Sequence, residues 1–172
     1  MRQRVMIALA IACGSKLILA DEPTTALNVT TQAQVMELLL SLVRERGISV
    51  VVVTHNLGLV TRYAKRTHIM YAGKIIESGT TEEILKHPAH PYTEGLLEAV
   101  PRLDIDKEQK LIPIKGAPPQ LAQLPSYCAF YDRCPYANEK CKEKGIPLLE
   151  MISGSSAHKA ACHCKGGLQR DG

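Results

Sequence analysis

Tryptophan is absent and phenylalanine occurs once in these 172 residues, so any core must be assembled from aliphatic side chains. No apolar run approaches the roughly 18 residues a membrane-spanning helix needs, and a membrane connection is expected only through a partner. Neither charge sign is in excess. The formal net charge is +4, with 10 Lys/Arg against 9 Asp/Glu in residues 1–100 and 11 against 8 in the remainder. That balance argues against a nucleic-acid surface. Also missing is any Gly-x-x-x-x-Gly-Lys-Ser/Thr stretch, the loop whose backbone amides and lysine cradle nucleotide phosphates.

What is present is 45% hydrophobic residues, enough for one domain with or without a small appendage. At the N-terminus, Arg2 and Arg4 precede Val5–Ala12, and Cys13 follows small residues. The pattern mimics a secretion or lipoprotein signal, and cleavage at Cys13 would make the chain a secreted metal-binding lipoprotein. The run is short, however, and a helix closed by Gly14 and leading into a strand at Leu17–Ala20 accounts better for the residues beyond it.

That strand ends in Asp21, Glu22 and Pro23. Thr30 or Thr31 then offers an N-cap for a helix with Val35, Leu38, Leu39, Leu42 and Val43 at helical spacing and Gly47 at its close. Ile48–Val53 is a β-branched run almost without polar residues, the pattern of a strand buried on both faces of a parallel sheet. Strand, helix and strand make a βαβ unit. Beyond Thr54, His55 and Asn56 a helix is expected to about Arg66, followed by a hairpin turning at Ala72 and Gly73. Chemistry in open parallel sheets gathers at the carboxyl ends of strands, where this reading puts Asp21, Glu22 and His55. An acidic pair there is either a cation-and-water site or a solvated turn with a capping acid.

LILADEPTTALN followed by VVVTHN resembles the second half of the ATPase domain of an ABC transporter. The resemblance implies a partial parallel-sheet P-loop NTPase core in residues 1–100. In it Asp21 would hold Mg2+ through water, Glu22 would polarise the water attacking the ATP γ-phosphate, and His55 would touch that phosphate. Asn28 stands in the D-loop, where the family usually has aspartate. The family's signature would end just before Met1, so the chain is expected to be truncated and, alone, neither to bind ATP tightly nor to hydrolyse it. TEEILKHPAHPYTEGLLEAVP further resembles the oligopeptide and dipeptide importers of this family. That resemblance implies an ATPase subunit at the cytoplasmic face of the membrane, partnered by a second ATPase subunit, by permeases and, indirectly, by a peptide-binding protein. The alternative is a non-catalytic metal-binding docking module. His87 and His90 read as a rigid proline-bounded turn between two helices.

From residue 101 the composition changes. Arg102–Lys110 is a charged connector, LIPIKG is expected to add a short strand, and GAPPQLAQLP is a proline-broken loop into a cysteine-rich appendage. Disulfides are disfavoured in a reducing compartment. Zinc knuckles usually bring two cysteines within a few residues, whereas four spaced thiolates with Pro135 after Cys134 suit an iron–sulfur centre. The importer resemblance implies Cys128, Cys134, Cys141 and Cys162 as ligands of a 4Fe-4S cluster, with zinc as the alternative and Cys164 spare. Cys13 reads as a small buried apolar residue.

Overall fold

A computed structural model describes residues 2–12, 14–100, 112–155 and 157–164, with side chains from residue 5 onward. Cys13 and the connector Arg102–Lys110 lie outside the described residues. The chain divides into two compact units, Met1–Tyr63 and Ala64–Gly172, whereas the change in composition falls near residue 100.

The first unit opens with helix α1, Arg2–Ala12, whose end is turned by Gly14 in the left-handed region at φ 67°. Strand β1, Leu17–Asp21, and strand β2, Ser49–Val53, pair in parallel from Leu17 opposite Ser49 to Asp21 opposite Val53. Helix α2, Val29–Arg46, crosses between them. Its cap is Asn28 rather than either threonine: the Asn28 side chain accepts from Thr31 N at 2.8 Å. Asparagine outranks threonine at this position, and an N-cap residue must itself stay extended, as Asn28 does. Gly47, at φ 64°, ends the helix in the left-handed conformation that costs glycine least. The buried stripe Val35, Met36, Leu39 and Leu42 packs on Ile18, Ile48 and Leu59, with Ile7, Ile11, Val50 and Val52 at the margin. Helix α3, Leu57–Tyr63, is three residues shorter than the sequence suggests.

On the other face of this two-stranded sheet Leu17, Leu19, Val51 and Val53 are exposed, Leu19 to 72%. The sequence reads Ile48–Val53 as a strand buried on both sides; the described residues cover one face of it and of β1.

In the second unit, β3 (Arg66–Tyr71) and β4 (Lys74–Thr80) form the expected hairpin. Ala72 and Gly73, at φ 48° and 77°, make its two-residue turn, matching the twist of the flanking strands. Two short strands, β5 (Glu150–Met151) and β6 (Lys159–Ala160), extend the sheet in the order β3-β4-β6-β5. Helix α4, Thr81–Lys86, starts with a capping box between Thr80 and Glu83. Helix α5, Pro91–Glu98, starts from His90 with proline in its first turn. A short helix, α6, covers Glu139–Glu143. LIPIKG forms no strand over its described residues 112–116; instead Arg133 donates to the Ile114 and Lys115 carbonyls, giving these backbone acceptors a side-chain partner rather than a ladder. The aliphatic core expected from composition is supplemented here by rings: Phe130 packs edge-on against Tyr71 and Tyr92 at 5.3 and 5.6 Å.

Candidate functional site

β1 and β2 end side by side, so residues 21–22 and 54–55 emerge at one rim of the sheet. Glu22 N donates to the Val53 carbonyl at 2.9 Å, carrying the pairing one residue beyond the strands. Glu22 then adopts φ 43°, a left-handed conformation disfavoured for a side chain with a Cβ. The kink leaves its carboxylate facing His55. Glu22 Oε1 accepts from His55 N at 3.1 Å and lies 2.7 Å from His55 Nδ1, while Oε2 accepts from the Thr25 hydroxyl at 3.1 Å. These bonds, the His55 ring first, hold the Glu22 carboxyl below its usual value of 4.5. An ionised carboxylate only accepts, so Nδ1 carries the hydrogen and the other ring nitrogen, Nε2, is left for a ligand or solvent. The histidine side chain is 82% exposed. Asp21 is the last residue of β1 and is exposed.

Two further side chains fix this rim. Asn56 Oδ1 accepts from Gly58 N and Leu59 N, starting α3 directly after His55. Gln32, on α2, donates to the carbonyls of Thr24 and Leu27 at 3.3 and 3.1 Å, tying the loop after Glu22 to the helix. Sequence reasoning passed over Thr25, Gln32 and Asn56, whose partners become visible only when the loops are closed. Asn28 has its side chain committed to the helix cap, in that same loop.

The second unit gathers five cysteines. Cys128, Cys134, Cys141 and Cys162, together with Cys164, line one small cavity of about 20 Å³ with His90, Phe130 and His163. Cys141 is buried, and its Sγ lies 3.5 Å from Cys164 Sγ. Burial pushes the Cys134 thiol up to about 11 and the Cys162 thiol up to about 12; Cys128 and Cys164 are raised for the same reason. Among the described residues no group of three or more His, Cys, Asp or Glu is disposed to hold a single metal ion. The donor chemistry suits a thiolate-bound centre, but the cavity has room for little more than one water, so a cluster would require the thiols to move outward.

Beneath the cysteines lies a polar latch that the sequence does not announce. Glu77 is fully buried on β4. Its carboxylate accepts from Ala89 N at 2.8 Å and His90 N at 3.0 Å, and Oε1 lies 2.7 Å from His158 Nε2. The latch therefore joins the hairpin, the start of α5 and the approach to β6. His90, also buried, accepts from Tyr92 N through Nδ1 at 3.0 Å. Its pKa is lowered to about 4 by burial.

Among the described residues no helix is long and apolar enough to cross a membrane. The family described as "Oligopeptide/dipeptide transporter, C-terminal region" matches residues 76–141, from the residue before Glu77 to Cys141. The oligopeptide transport ATP-binding protein OppD of Haemophilus influenzae is 51% identical over 142 residues, 83% of this chain and 44% of that protein. The oligopeptide transport ATP-binding protein AppD of Bacillus subtilis is 47% identical over 90% of this chain and 47% of its own length. The dipeptide transport ATP-binding protein DppD of H. influenzae is 46% identical over 95% of this chain and 48% of its own. A solved dimeric ATP-binding cassette in a post-hydrolysis state with ADP and Pi matches 46% of this chain at 38% identity, with a TM-score of 0.42. The chain thus spans a little under half the length of the curated relatives it matches, and it belongs to the family of oligopeptide and dipeptide ABC transporter ATP-binding subunits.

Proposed function

We propose that this chain contributes one side of an ATP-hydrolysing pocket in an ABC importer of short peptides. The observation that carries the reading is the 2.7 Å contact between Glu22 and His55 at the ends of two adjacent parallel strands, with Asp21 alongside. In this reading Asp21, an exposed hard-oxygen donor at the strand end, holds Mg2+ through water. Magnesium supplies charge neutralisation at the phosphates. Glu22 orients the attacking water; its lowered basicity suits polarising and positioning better than outright proton abstraction. His55 presents Nε2 toward the γ-phosphate, held in that tautomer by Glu22. Asn28 keeps the loop after Glu22 in register with α2.

These residues contain no phosphate-cradling Gly-x-x-x-x-Gly-Lys-Ser/Thr loop, so in this reading that part of the pocket is supplied from outside them, and the names of the relatives supply the cargo class. The partners are a second ATPase subunit, membrane permeases and, through them, a peptide-binding protein, at the cytoplasmic membrane face. A chimera joining the uncovered portion of the H. influenzae OppD protein to this chain tests the reading. It should release phosphate in a Mg2+-dependent manner, and Glu22→Gln or His55→Ala should abolish release. A folded chimera that turns over equally well with Glu22→Gln would refute the assignment; one that never turns over would favour the docking-module alternative.

We further infer that the cysteines of the second unit bind metal, an iron–sulfur cluster in preference to zinc. The convergence of Cys128, Cys134, Cys141 and Cys162 on one cavity supports it. A bound cation would itself deprotonate the thiols that hold it, and the centre would staple an appendage with little core of its own. Iron, sulfide and zinc analysis of anaerobically purified chain, with its visible absorption spectrum, tests this. Stoichiometric iron and sulfide would support the cluster, zinc the alternative, and neither would refute metal binding.

A further inference from the structure

Five cysteines line a cavity for which a four-thiolate centre needs only four, and the surplus thiol is placed asymmetrically. Cys164 lies four residues beyond β6 and stays partly exposed. Its Sγ is 3.5 Å from the Sγ of Cys141, which is buried on α6, 23 residues away in sequence. Asn138 clamps both sulfurs: its Nδ2 lies 3.3 Å from Cys164 Sγ, and its Oδ1 accepts from Cys141 Sγ at 3.7 Å. The two thiols are thus in van der Waals contact and held from one side by a single amide. A disulfide requires sulfurs at about 2.0 Å, which means closing roughly 1.5 Å by side-chain rotation and a small shift of the chain end that carries Cys164.

We propose that Cys141 and Cys164 form an intramolecular disulfide when a low-molecular-weight disulfide such as oxidised glutathione is the oxidant. Cys164, the more accessible of the two, attacks as its thiolate one glutathione sulfur, forming a mixed disulfide and expelling one glutathione thiolate. The Cys141 thiolate then attacks Cys164 Sγ, closes the protein disulfide and expels the second glutathione. Two protein thiols are oxidised, one glutathione disulfide is reduced to two thiols, and the two protons released by the protein are taken up by the departing thiolates. The cysteine pair Cys162 and Cys164, two residues apart, competes poorly because so short a ring is strained. The site shares Cys141 with the metal-binding reading, so disulfide and metal exclude one another, yet the pairing itself does not depend on that reading.

The full 172-residue chain, stripped of metal by a chelator under reduction and then desalted, is incubated with oxidised glutathione, quenched with N-ethylmaleimide, digested and mapped by mass spectrometry. The expected product is a peptide cross-linked through Cys141 and Cys164. It should be lost in Cys164→Ser and retained in Cys162→Ser, with far-UV circular dichroism confirming that both variants fold. Cross-links dominated by any other pair, or glutathione retained on Cys164 without an internal disulfide, would overturn the proposal. Because the mapping stands on the unsubstituted chain, a variant that failed to fold would leave the result decisive. Metal content measured before stripping reports on the cluster separately.

Discussion

His90 lets acid stability be derived from one hydrogen bond. Its Nδ1 accepts from Tyr92 N at the start of α5, so the ring must be neutral there, and protonation removes the cap as well as burying a charge. Burial lowers its pKa from 6.5 to about 4. The unfolded chain takes up this proton near pH 6.5, whereas the folded chain resists until about pH 4. The folded-state pKa is depressed, so the stabilisation is complete above pH 6.5. It declines as the pH falls through the interval and levels off below about 4. At about 1.4 kcal/mol per pH unit the whole interval is worth about 3 kcal/mol, much of a typical domain's stability. Two groups beside the ring do not offset this: Phe130 packs against it at a tilt, 5.8 Å between ring centres, and Glu77 accepts from the backbone N–H of His90, not from the ring.

The assay is urea denaturation of the chain and of His90→Asn across about pH 7.5 to 4.5, monitored by circular dichroism. Asparagine keeps an acceptor at the cap but does not titrate. The smaller side chain lowers stability at every pH, so the readout is the slope. Between about pH 6.5 and 4.5 the native chain should lose about 2–3 kcal/mol more than the variant. Glu83, lowered to about 2 chiefly by the Ser155 and Thr80 hydrogen bonds, loses its stabilisation as the pH falls below 4.5, and does so equally in both proteins. Parallel stability curves for the two would refute the reasoning.

Replacing Glu77 by glutamine should destabilise the second unit by about 2 kcal/mol, because an amide nitrogen would then confront a buried donor now served by carboxylate oxygen; equal urea midpoints would show the latch to be dispensable. Asn28→Ala should cost about 1 kcal/mol through the lost cap, and Asn28→Asp close to nothing, measured by the same denaturation. His55→Ala should return the Glu22 carboxyl upward toward 4.5, since the imidazole bond is the largest cause of its depression; carbon-detected NMR titration of Glu22 reads this, and an unchanged value would place the cause elsewhere.

The first unit was legible because its signals are local. A β-branched run, a helical stripe and a left-handed glycine each declare themselves within a few residues, and Asp21, Glu22 and His55 stand at strand ends that those signals delimit. The position of the cap was not legible. Asn28, Thr30 and Thr31 are all competent, and which one caps depends on where the loop after Glu22, clamped by Gln32, delivers the chain. In the second unit the hairpin was legible from Ala72-Gly73, but β5 and β6 are two residues each and carry no periodicity to detect. Glu77 and His158 are 81 residues apart, and nothing in either neighbourhood names the other. LIPIKG reads as a strand from its isoleucines, yet Arg133 takes its carbonyls, an outcome set by a residue about 18 positions away.

Glu77 also explains why the histidine–proline segment and the cysteines occur together. A buried carboxylate is tolerable only with donors on both oxygens, and the Ala89 and His90 amides supply two of them. Pro88 and Pro91 fix the turn that presents those amides, while proline at the first position of α5 gives up no hydrogen bond that the helix needs. With the backbone so held, the His90 ring and Pro91 line the cysteine cavity. The same carboxylate meets His158, two residues before Ala160 and four before Cys162, so it also positions the chain end that brings the last cysteines in. One charge thus fixes two segments that would otherwise depend on the thiols alone. Modifying the cysteines should therefore loosen the cavity without releasing β6 from β4, whereas losing Glu77 should release both.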